Sequence, residues 1–285
     1  MTTTKGTLFG QLPSIVVRGK LLHFSSPKVM GILNATPDSF HAESRISSQK
    51  QLLLRAEEMA RDGADILDLG AYSSRPGAAD ISVEEEWSRL KGLIMALRAE
   101  GHLPISLDTF RAEIARRALG EGVDIINDIS GGADVDMFPL IGETGVPYIL
   151  MHMQGTPQNM QNDPKYDDVV GEVNLFLAQK IQELHELGAH DIIADVGFGF
   201  GKTVEQNYAL LRELEQFKAL GVSLLVGVSR KSMINRVLDI RPQAALNGTS
   251  ILHALALERG ASILRVHDVR EAVEAVKLFE VLRAD

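Results

Sequence analysis

The chain has 285 residues, of which 45% are hydrophobic and 24% are charged, a composition that allows one large globular core. Its formal net charge of -9 argues against a nucleic acid partner, because nucleic acid is bound by basic surfaces. The absence of cysteine excludes disulfides and thiolate chemistry, and no apolar segment is long enough for a signal h-region or a membrane span. We therefore expect a cytoplasmic protein with no membrane contact.

Eight short apolar runs follow an N-terminal extension at residues 1–27, which is predicted to form a hairpin. The runs lie at residues 29–33, 66–70, 104–107, 125–126, 148–151, 191–195, 223–228 and 263–267. A helical pattern follows each run, and such runs are typical of parallel strands that are buried on both faces. Eight such units predict a single (β/α)8 TIM barrel over residues 28–285. The alternative is a doubly wound open sheet, but the sequence has no dinucleotide-binding loop after the first run, where that fold would carry it.

Pairs of residues at capping-box spacing predict where several of the helices begin. The pairs are Ser48 with Gln51, Ser82 with Glu85, Thr203 with Gln206, and Asp268 with Glu271. A further helix is predicted near residues 111–120.

A glycine-rich stretch from Val196 to Lys202 directly follows Asp195. It lacks the first glycine of a P-loop, which would fall at Val196, and the third glycine of a dinucleotide fingerprint, which would fall at Lys202. Glycines let the backbone approach a ligand closely, so the stretch predicts a tight loop beside Asp195 rather than either nucleotide motif.

Polar residues follow the apolar runs at the positions where a barrel carries its active site, the C-terminal ends of the strands. They are Asn34, Ser74, Arg75, Asp108, Asn127, His152, Asp195, Ser229, Lys231, Arg265 and His267. A single Asn, Asp or Ser at a strand end often serves only a turn, but turns do not explain the whole set. Arg265 and His267 alternate within an apolar run, which predicts that both point into the barrel, where a buried arginine needs a partner or an anion.

The set divides by charge into two predicted sides of one site. The acceptors are Asp108, Asn127 and Asp195, and the donors, on runs one, two and eight, are Asn34, Arg75, Arg265 and His267. The acceptors suit a planar, donor-rich heterocycle with Phe200 as an apolar wall, and the donors suit a phosphate or diphosphate. The helix start at residues 229–232 also favours an anion. No metal motif is present, but Mg²⁺ takes few protein ligands beside phosphate oxygens, so Asn34 alone could serve.

His152 of this set is interpreted as structural, because a lone histidine at a strand end more often satisfies its neighbours than binds a ligand. Asp68 and Asp128 are interpreted as structural too. Lys231 could instead be the Schiff-base lysine of a barrel aldolase. It lies past a strand end in an Arg-Lys pair rather than within an apolar strand, which disfavours that alternative.

Longer motifs resemble the dihydropteroate synthase family between about Val29 and Leu282. They lie at residues 30–40, 74–77, 127–129, 151–155, 197–202, 229–232 and 265–268. The resemblance implies a TIM-barrel transferase that joins 4-aminobenzoate to (7,8-dihydropterin-6-yl)methyl diphosphate in folate biosynthesis and releases diphosphate. It also implies two small-molecule substrates, Mg²⁺ as cofactor and a homodimer.

The resemblance further implies a role for each matching site residue. The pterin-binding residues are Asp108, Asn127, Asp195 and Lys231, the diphosphate-binding residues are Asn34, Arg75, Arg265 and His267, and the aminobenzoate-binding residues are Ser74, Phe200 and Ser229. Asn34 resembles the Mg²⁺ ligand of the family. The implied catalytic residues are Asp108, Lys231, Arg265 and His267.

The chain departs from the family pattern mainly in loops that would close over the second substrate. Residues 41–44 read His-Ala-Glu-Ser instead of Ser-Asp-Gly-Gly, Tyr72 and Ser74 replace Glu and Thr, Phe110 replaces Ser, and Val196 replaces Pro. Two related functions therefore remain alternatives: a non-catalytic pterin-binding homologue and a methyltetrahydrofolate-dependent corrinoid methyltransferase. The methyltransferase needs no diphosphate pocket, so Arg75, Arg265 and His267 favour the synthase.

Overall fold

The computed structural model describes residues 14–35, 42–72, 80–101, 103–156, 158–160 and 164–284, with the backbone alone described at residues 42–48. Two predicted site residues, Ser74 and Arg75, lie outside these ranges, as does His41 of the first atypical loop. The described chain begins with an antiparallel hairpin of β1 (Ser14–Val17) and β2 (Lys20–His23). This confirms the hairpin that was predicted within the N-terminal extension.

Eight parallel strands then form a closed barrel, in which the last strand pairs with the first. The strands are β3 (Lys28–Asn34), β4 (Ile66–Gly70), β5 (Ile105–Asp108), β6 (Ile125–Asp128), β7 (Tyr148–Met151), β8 (Ile192–Asp195), β9 (Ser223–Val226) and β10 (Ile263–Val266). Each strand lies beside the next one in the chain, as expected when a helix connects two parallel neighbours. The TIM barrel predicted from the eight apolar runs is confirmed.

Helices cover the outside of the barrel between the strands. They are α1 (Ala42–Asp62), α2 (Val83–Glu100), α3 (Ala112–Gly120), α4 (Met137–Thr144), α5 (Val169–Glu186), α6 (Val204–Arg212), α7 (Ser232–Leu238), α8 (Leu246–Glu258) and α9 (Val269–Arg283). Short 3-10 helices lie at Leu214–Leu220 and Pro242–Ala244. In the described part of the chain, no helix is both long enough and apolar enough to cross a membrane.

The predicted helix starts are confirmed in part. Thr203 forms a reciprocal capping box with Gln206 at the start of α6, and Ser82 accepts a hydrogen bond from the backbone of Glu85 at the start of α2. The first helix begins at Ala42 rather than near Ser48, so the helical pattern extends further towards β3 than predicted.

The prediction that Asp268 caps the last helix is wrong. Asp268 precedes α9, but its side chain makes no capping hydrogen bond. Its two carboxylate oxygens instead accept from Nε and Nη2 of Arg230, both at 2.7 Å. A bidentate pair with arginine outcompetes a single bond to a backbone N–H.

The hairpin closes the N-terminal end of the barrel. Ile15, Val17 and Phe24 are buried against the inward-facing residues of the lower barrel, which are Met30, Ile66, Ile125, Ile149, Ile193, Leu225 and Ile263. Arg18 donates to both carboxylate oxygens of Asp124, just before β6, at 2.9 and 3.0 Å. The opposite end of the barrel, where the strands finish, is therefore the end that is open to ligands.

Candidate active site

The polar residues predicted at the strand ends meet at the C-terminal opening of the barrel. Asp108, Asn127 and Asp195 lie at or near the ends of β5, β6 and β8, and Arg265 lies on β10 beside β3. The register pairs Asp108 with Asn127 on adjacent strands. Asn127 and Asp195 are buried, whereas Asn34 at the end of β3 is exposed. The strand ends therefore form a partly buried polar cluster with an exposed edge.

Arg265 joins two carboxylates across this opening. Its Nε donates to Oδ2 of Asp68 at 2.6 Å, and its Nη2 donates to Oδ2 of Asp108 at 2.6 Å. The predicted separation of acceptors from donors is wrong for Arg265, because its guanidinium lies among the carboxylates and neutralises them. Asp68, interpreted from the sequence as a separate structural residue, belongs to this cluster and also accepts from Nδ2 of Asn127 at 3.1 Å.

Burial sets the protonation of the charged groups in the cluster. Loss of solvent raises the pKa of Asp108 to about 7, and the nearby carboxylates of Asp68, Asp128 and Glu86 add to this rise, while Arg265 opposes it. Burial also raises the pKa of Asp195, and the cation of Lys231 and a hydrogen bond from the backbone N–H of Gly197, at 2.8 Å, oppose that rise. Groups with such perturbed pKa values, gathered in one place, are typical of active sites.

Lys231 brings a cation to the loop that follows β8. Burial lowers its pKa to about 8, and the carboxylate of Asp195 opposes that decrease. Its Nζ donates to the backbone oxygen of Phe198 and lies 4.7 Å from the ring centroid of Phe200, within cation–π distance. Asp195, Lys231 and Phe200 are thus brought together, as the strand-end analysis and the resemblance predicted.

His267 and Ser229 form a second polar pair next to Arg265. The Ser229 hydroxyl oxygen accepts from the backbone N–H of His267 at 3.2 Å and lies 3.1 Å from Nδ1 of the same residue. Burial, together with the cation of Arg265, lowers the pKa of the His267 ring to about 4, so the ring is neutral near pH 7. If the serine proton is donated to Nδ1, the other ring nitrogen carries the hydrogen and is a donor.

We expect the His267 ring to titrate near pH 4 instead of near its ordinary value of 6.5. Between those values the unfolded chain binds more protons than the folded one, so this residue lowers the free energy of unfolding as the pH falls through that window. The chemical shifts of the His267 ring protons can be followed by NMR as the pH is varied, and the signals are assigned by their absence in His267→Gln. A midpoint close to 6.5 would show that the ring is solvated and open to protonation.

Lys202 is a buried residue of this region that the sequence analysis did not select. Its Nζ donates to the backbone oxygens of Gly197, Phe200 and His152 at 3.0, 2.9 and 3.3 Å and lies 3.1 Å from Nδ1 of His152. Burial lowers the pKa of Lys202 to about 7 and that of His152 to about 3, so the neutral imidazole accepts from the lysine. Lys202 thereby joins the loops after β7 and β8, and His152 has the structural role that was predicted.

The loop after β8 packs closely on the loop after β7 at two glycines. Gly197 and Gly201 have positive φ values of 71° and 59°. A Cβ atom at Gly197 would lie 1.9 Å from the backbone oxygen of His152, and one at Gly201 would lie 2.5 Å from that of Gln154. The glycine-rich stretch therefore serves loop packing beside Asp195, in agreement with the tight loop predicted there.

The described residues allow only a small protein contribution to a Mg²⁺ site. In that part of the chain, no group of three or more His, Cys, Asp or Glu side chains is placed to hold a metal ion. Asn34 is exposed at the end of β3 and offers one amide oxygen at the edge of the polar cluster. This donor set fits a Mg²⁺ ion that takes most of its ligands from a diphosphate and from water.

Two residues that depart from the family pattern contact each other. The rings of Tyr72 and Phe110 meet edge to face with centroids 4.9 Å apart. The Arg111 guanidinium lies 5.5 Å from the first ring centroid and 5.4 Å from the second. Gln158, in the loop after β7, donates to the Tyr72 hydroxyl at 2.8 Å. The two substitutions therefore form one aromatic contact between the segments after β4 and β5.

We expect Tyr72→Leu and Phe110→Leu to be energetically coupled, because each removes one ring of the same edge-to-face pair. A double-mutant cycle on the free energy of unfolding should give a coupling of about 0.5–1.5 kcal/mol. Effects that add to within about 0.3 kcal/mol would mean that the rings do not pack on each other in solution.

Comparison with known proteins places this barrel among pterin-binding enzymes. Residues 30–267 match the family described as "Pterin binding enzyme", which spans all the strand ends described above. The dihydropteroate synthase of Escherichia coli is 42% identical over 268 residues, which cover 93% of this chain and 95% of that protein. The dihydropteroate synthase of a Synechocystis species is 43% identical and covers 89% of each chain.

Solved structures agree with the sequence comparison. The Yersinia pestis dihydropteroate synthase in a sulfonamide drug complex superposes with a TM-score of 0.90 at 39% identity, covering 95% of this chain and all of that one (100%). The Xanthomonas albilineans enzyme with 4-aminobenzoic acid gives 0.89 at 37% identity, covering 96% of this chain and 100% of that one. The chain therefore belongs to the dihydropteroate synthase family.

Proposed function

We infer that this chain condenses 4-aminobenzoate with (7,8-dihydropterin-6-yl)methyl diphosphate to give 7,8-dihydropteroate and diphosphate, as a step of folate biosynthesis. The observation that carries this inference is the partly buried cluster of Asp108, Asn127, Asp195, Lys231 and Arg265 at the open end of the barrel. This cluster lies in a chain that resembles dihydropteroate synthases over nearly its full length. A solved relative contains 4-aminobenzoic acid, which supports the same second substrate here.

The pterin ring would bind against the acceptors of the cluster. A pterin carries an amino group and ring N–H donors along one edge, and Asp195 and Asn127 present buried acceptor oxygens to the opening. Lys231, beside Asp195, would donate to an acceptor of the same ring. A ring with both donors and acceptors thus matches a site in which carboxylates and a cation are held close together.

The diphosphate would bind at the edge of the cluster near β3 and β10. Arg265 and neutral His267 supply N–H donors, and Arg75, which lies outside the described residues, is proposed as a further cation. Asn34 would be the one protein ligand of Mg²⁺, which supplies positive charge to the leaving diphosphate when it is bound. These donors stabilise the charge that develops on the leaving group, which is where electrostatic catalysis is most effective.

Bond exchange takes place at the methylene carbon that joins the pterin to the diphosphate. The C–O bond breaks and its electron pair leaves with the diphosphate, while the carbon shares its developing positive charge with the electron-rich ring. The unprotonated amine of 4-aminobenzoate attacks this carbon and forms the C–N bond, and the resulting arylammonium then loses its proton to water. The carboxylate form of Asp108, favoured by Arg265, stabilises the positive charge on the ring.

The arylamine would approach beside the loop after β8. Phe200 is half-buried next to Lys231 and offers an apolar wall for the benzene ring. Ser229 is buried in the turn after β9, against His267, and Ser74, outside the described residues, is proposed as a further contact. The atypical residues Tyr72 and Phe110 lie in segments that face this substrate in our proposal.

The assay that tests the function is release of diphosphate when both substrates and Mg²⁺ are supplied. A synthase releases diphosphate and forms dihydropteroate in equal amounts, and release requires 4-aminobenzoate. Pterin binding without release would identify a non-catalytic pterin-binding homologue. Methyl transfer from methyltetrahydrofolate to a corrinoid protein would identify the methyltransferase alternative. Omitting Mg²⁺ in the presence of a chelator should lower the rate if the proposed cofactor is required.

We also propose that the chain acts in the cytoplasm as a homodimer. The neighbouring helices α8 and α9 expose large apolar side chains, which are Ile251, Leu255, Leu278, Val281 and Leu282. Leu278, Val281 and Leu282 are each more than 70% exposed (73%, 75% and 77%), which is unfavourable on a monomer unless a partner covers them. Analytical ultracentrifugation should show a dimer that Leu278→Glu disrupts, and a monomeric wild-type chain would contradict the proposal.

A further inference from the structure

Asp68 lies in the middle of β4, and its side chain is fully buried inside the barrel. Side chains alternate along a strand, so Asp68 faces the same side as Ile66, which belongs to the inner core below it. A carboxylate in this position has lost its hydration, which is costly unless charged or hydrogen-bonded partners compensate. The contacts of Asp68 therefore indicate its role in the protein.

One oxygen of Asp68 contacts two residues of the proposed substrate site. Oδ2 accepts from Nε of Arg265 at 2.6 Å and from Nδ2 of Asn127 at 3.1 Å. Arg265 reaches it from β10, and Asn127 reaches it from β6. The other oxygen, Oδ1, is buried and has no hydrogen-bond partner among the described residues. A buried acceptor without a partner is a net cost to stability, so fold stability alone does not account for an aspartate here.

The contact with Asp68 determines which group Asn127 presents to the opening. An asparagine side chain has one amino end and one carbonyl end. Because the amino end donates to Asp68, the carbonyl oxygen is directed away from it and, among the described residues, remains available as an acceptor. An acceptor is the group that a donor-rich pterin edge requires.

The contact with Asp68 also fixes the plane of the Arg265 guanidinium. Nε is bound to Asp68 and one hydrogen of Nη2 is bound to Asp108, so both bonds lie in the same plane. Among the described residues, the two hydrogens of Nη1 and the second hydrogen of Nη2 have no acceptor, so they are left for a ligand. Both carboxylates raise the pKa of Arg265, so it stays a cation despite its burial.

We propose that Asp68 is a positioning residue that holds Asn127 and Arg265 in the orientations required by the pterin diphosphate. This inference rests on the proposed function. It adds a residue that does not contact the substrate but contacts, from below, the side chains that bind it. It predicts that substrate binding depends on a carboxylate at position 68, since its negative charge holds the Arg265 cation while the same oxygen accepts from Asn127.

The test is Asp68→Asn, which keeps the shape of the side chain and one acceptor oxygen but removes the negative charge that holds the cation of Arg265. We expect the affinity for a non-reactive pterin, measured by calorimetry, to fall by about 10- to 100-fold, a size typical of lost supporting contacts. The KM for the pterin diphosphate should rise, while the KM for 4-aminobenzoate should change by less than about threefold, because Asp68 contacts neither Phe200 nor Ser229 in the described structure.

Asp128→Asn is the matched control. Asp128 is also fully buried, near the end of β6, but its oxygens accept from Tyr148, Ser130 and Gly132 rather than from the proposed binding residues. We expect this control to lower the melting temperature while pterin affinity stays within about threefold of wild type. Equal affinity losses in the two variants at equal losses of stability would overturn the proposal, as would unchanged affinity in Asp68→Asn.

A wild-type measurement covers the case in which Asp68→Asn does not fold. The Nε–H of Arg265 should give a slowly exchanging ¹⁵N NMR signal in the ligand-free protein, assigned by its absence in Arg265→Lys. Rapid exchange of this proton would show that Asp68 does not hold the guanidinium, and would overturn the proposal. If wild type binds pterin but releases no diphosphate, the proposed function fails while the positioning role of Asp68 is still decided by affinity.

Discussion

Replacing Asp195 by alanine is expected to abolish measurable pterin binding and, with it, synthase activity. The carboxylate is buried at the end of β8, where it also accepts from the backbone of Gly197 and neighbours the cation of Lys231. Hydrogen bonds to a charged group are each worth about 1.5–3 kcal/mol. The loss of the two hydrogen bonds that the pterin edge donates to the carboxylate should therefore weaken binding by at least about 100-fold. Calorimetry with a non-reactive pterin measures this directly.

The control for this variant is Asp191→Ala, at the other end of the same strand. Asp191 precedes β8 and accepts from the backbone N–H of Val16 in the hairpin, far from the opening. We expect this change to lower stability slightly and to leave pterin affinity unaltered. Pterin affinity in Asp195→Ala that equals the wild-type value would remove Asp195 from the binding site and the proposed orientation of the ring with it.

Replacing Arg265 by methionine is expected to cost both stability and activity. The change leaves the buried carboxylate of Asp68 and the partly buried carboxylate of Asp108 without their shared cation. Removing one partner of a buried ion pair lowers the free energy of unfolding by about 3–5 kcal/mol, and the loss of a diphosphate donor should lower kcat/KM by about 100-fold or more. Denaturant unfolding and steady-state kinetics provide the two measurements.

The stability loss in Arg265→Met should depend on pH in a defined direction. The pKa of Asp108 is raised to about 7 from its ordinary 3.8, so in this window the folded chain binds more protons and its stability decreases as the pH rises. Arg265 opposes that shift, so without it Asp108 keeps its proton to still higher pH. The deficit relative to wild type should therefore be smaller at about pH 5 than at about pH 8.

Arg117→Met is the corresponding surface control. Arg117 pairs with Glu84 and Glu113, both of which are largely exposed. Its loss should change the free energy of unfolding by no more than about 1 kcal/mol, with no effect on kinetics. A deficit in Arg265→Met as small as that of Arg117→Met, or one that does not change with pH, would mean that the carboxylates near Arg265 are not buried as described.

The barrel and most residues of its opening could be predicted from sequence because both depend on local pattern. Apolar runs identify the strands, and the first polar residue after a run lies at the strand end whatever the rest of the chain does. Asp108, Asn127 and Asp195 were located in this way. Ser74 and Arg75, selected by the same reasoning, lie outside the described residues and stay predictions.

Contacts between residues far apart in the chain could not be predicted from one sequence. Asp68 lies inside an apolar run and resembles a structural residue until Arg265, 197 positions later, is seen to bind it. Lys202 follows a glycine-rich loop, but its partner His152 lies 50 positions earlier. Asp268 has the spacing of a helix cap, yet Arg230 competes for it through a contact that spacing does not reveal. In each case tertiary pairing determined the role of the side chain.

The hairpin that closes the lower end of the barrel determines the side from which ligands reach the site. Because Ile15, Val17 and Phe24 pack against the inner core and close the lower end, we expect both substrates to reach Asp195 from the upper end of the barrel. The ligand that binds deepest in the barrel has to bind before the ligand above it and dissociate after it. Substrate binding and product release should therefore be ordered, and the ligand nearer the opening should slow the dissociation of the deeper ligand.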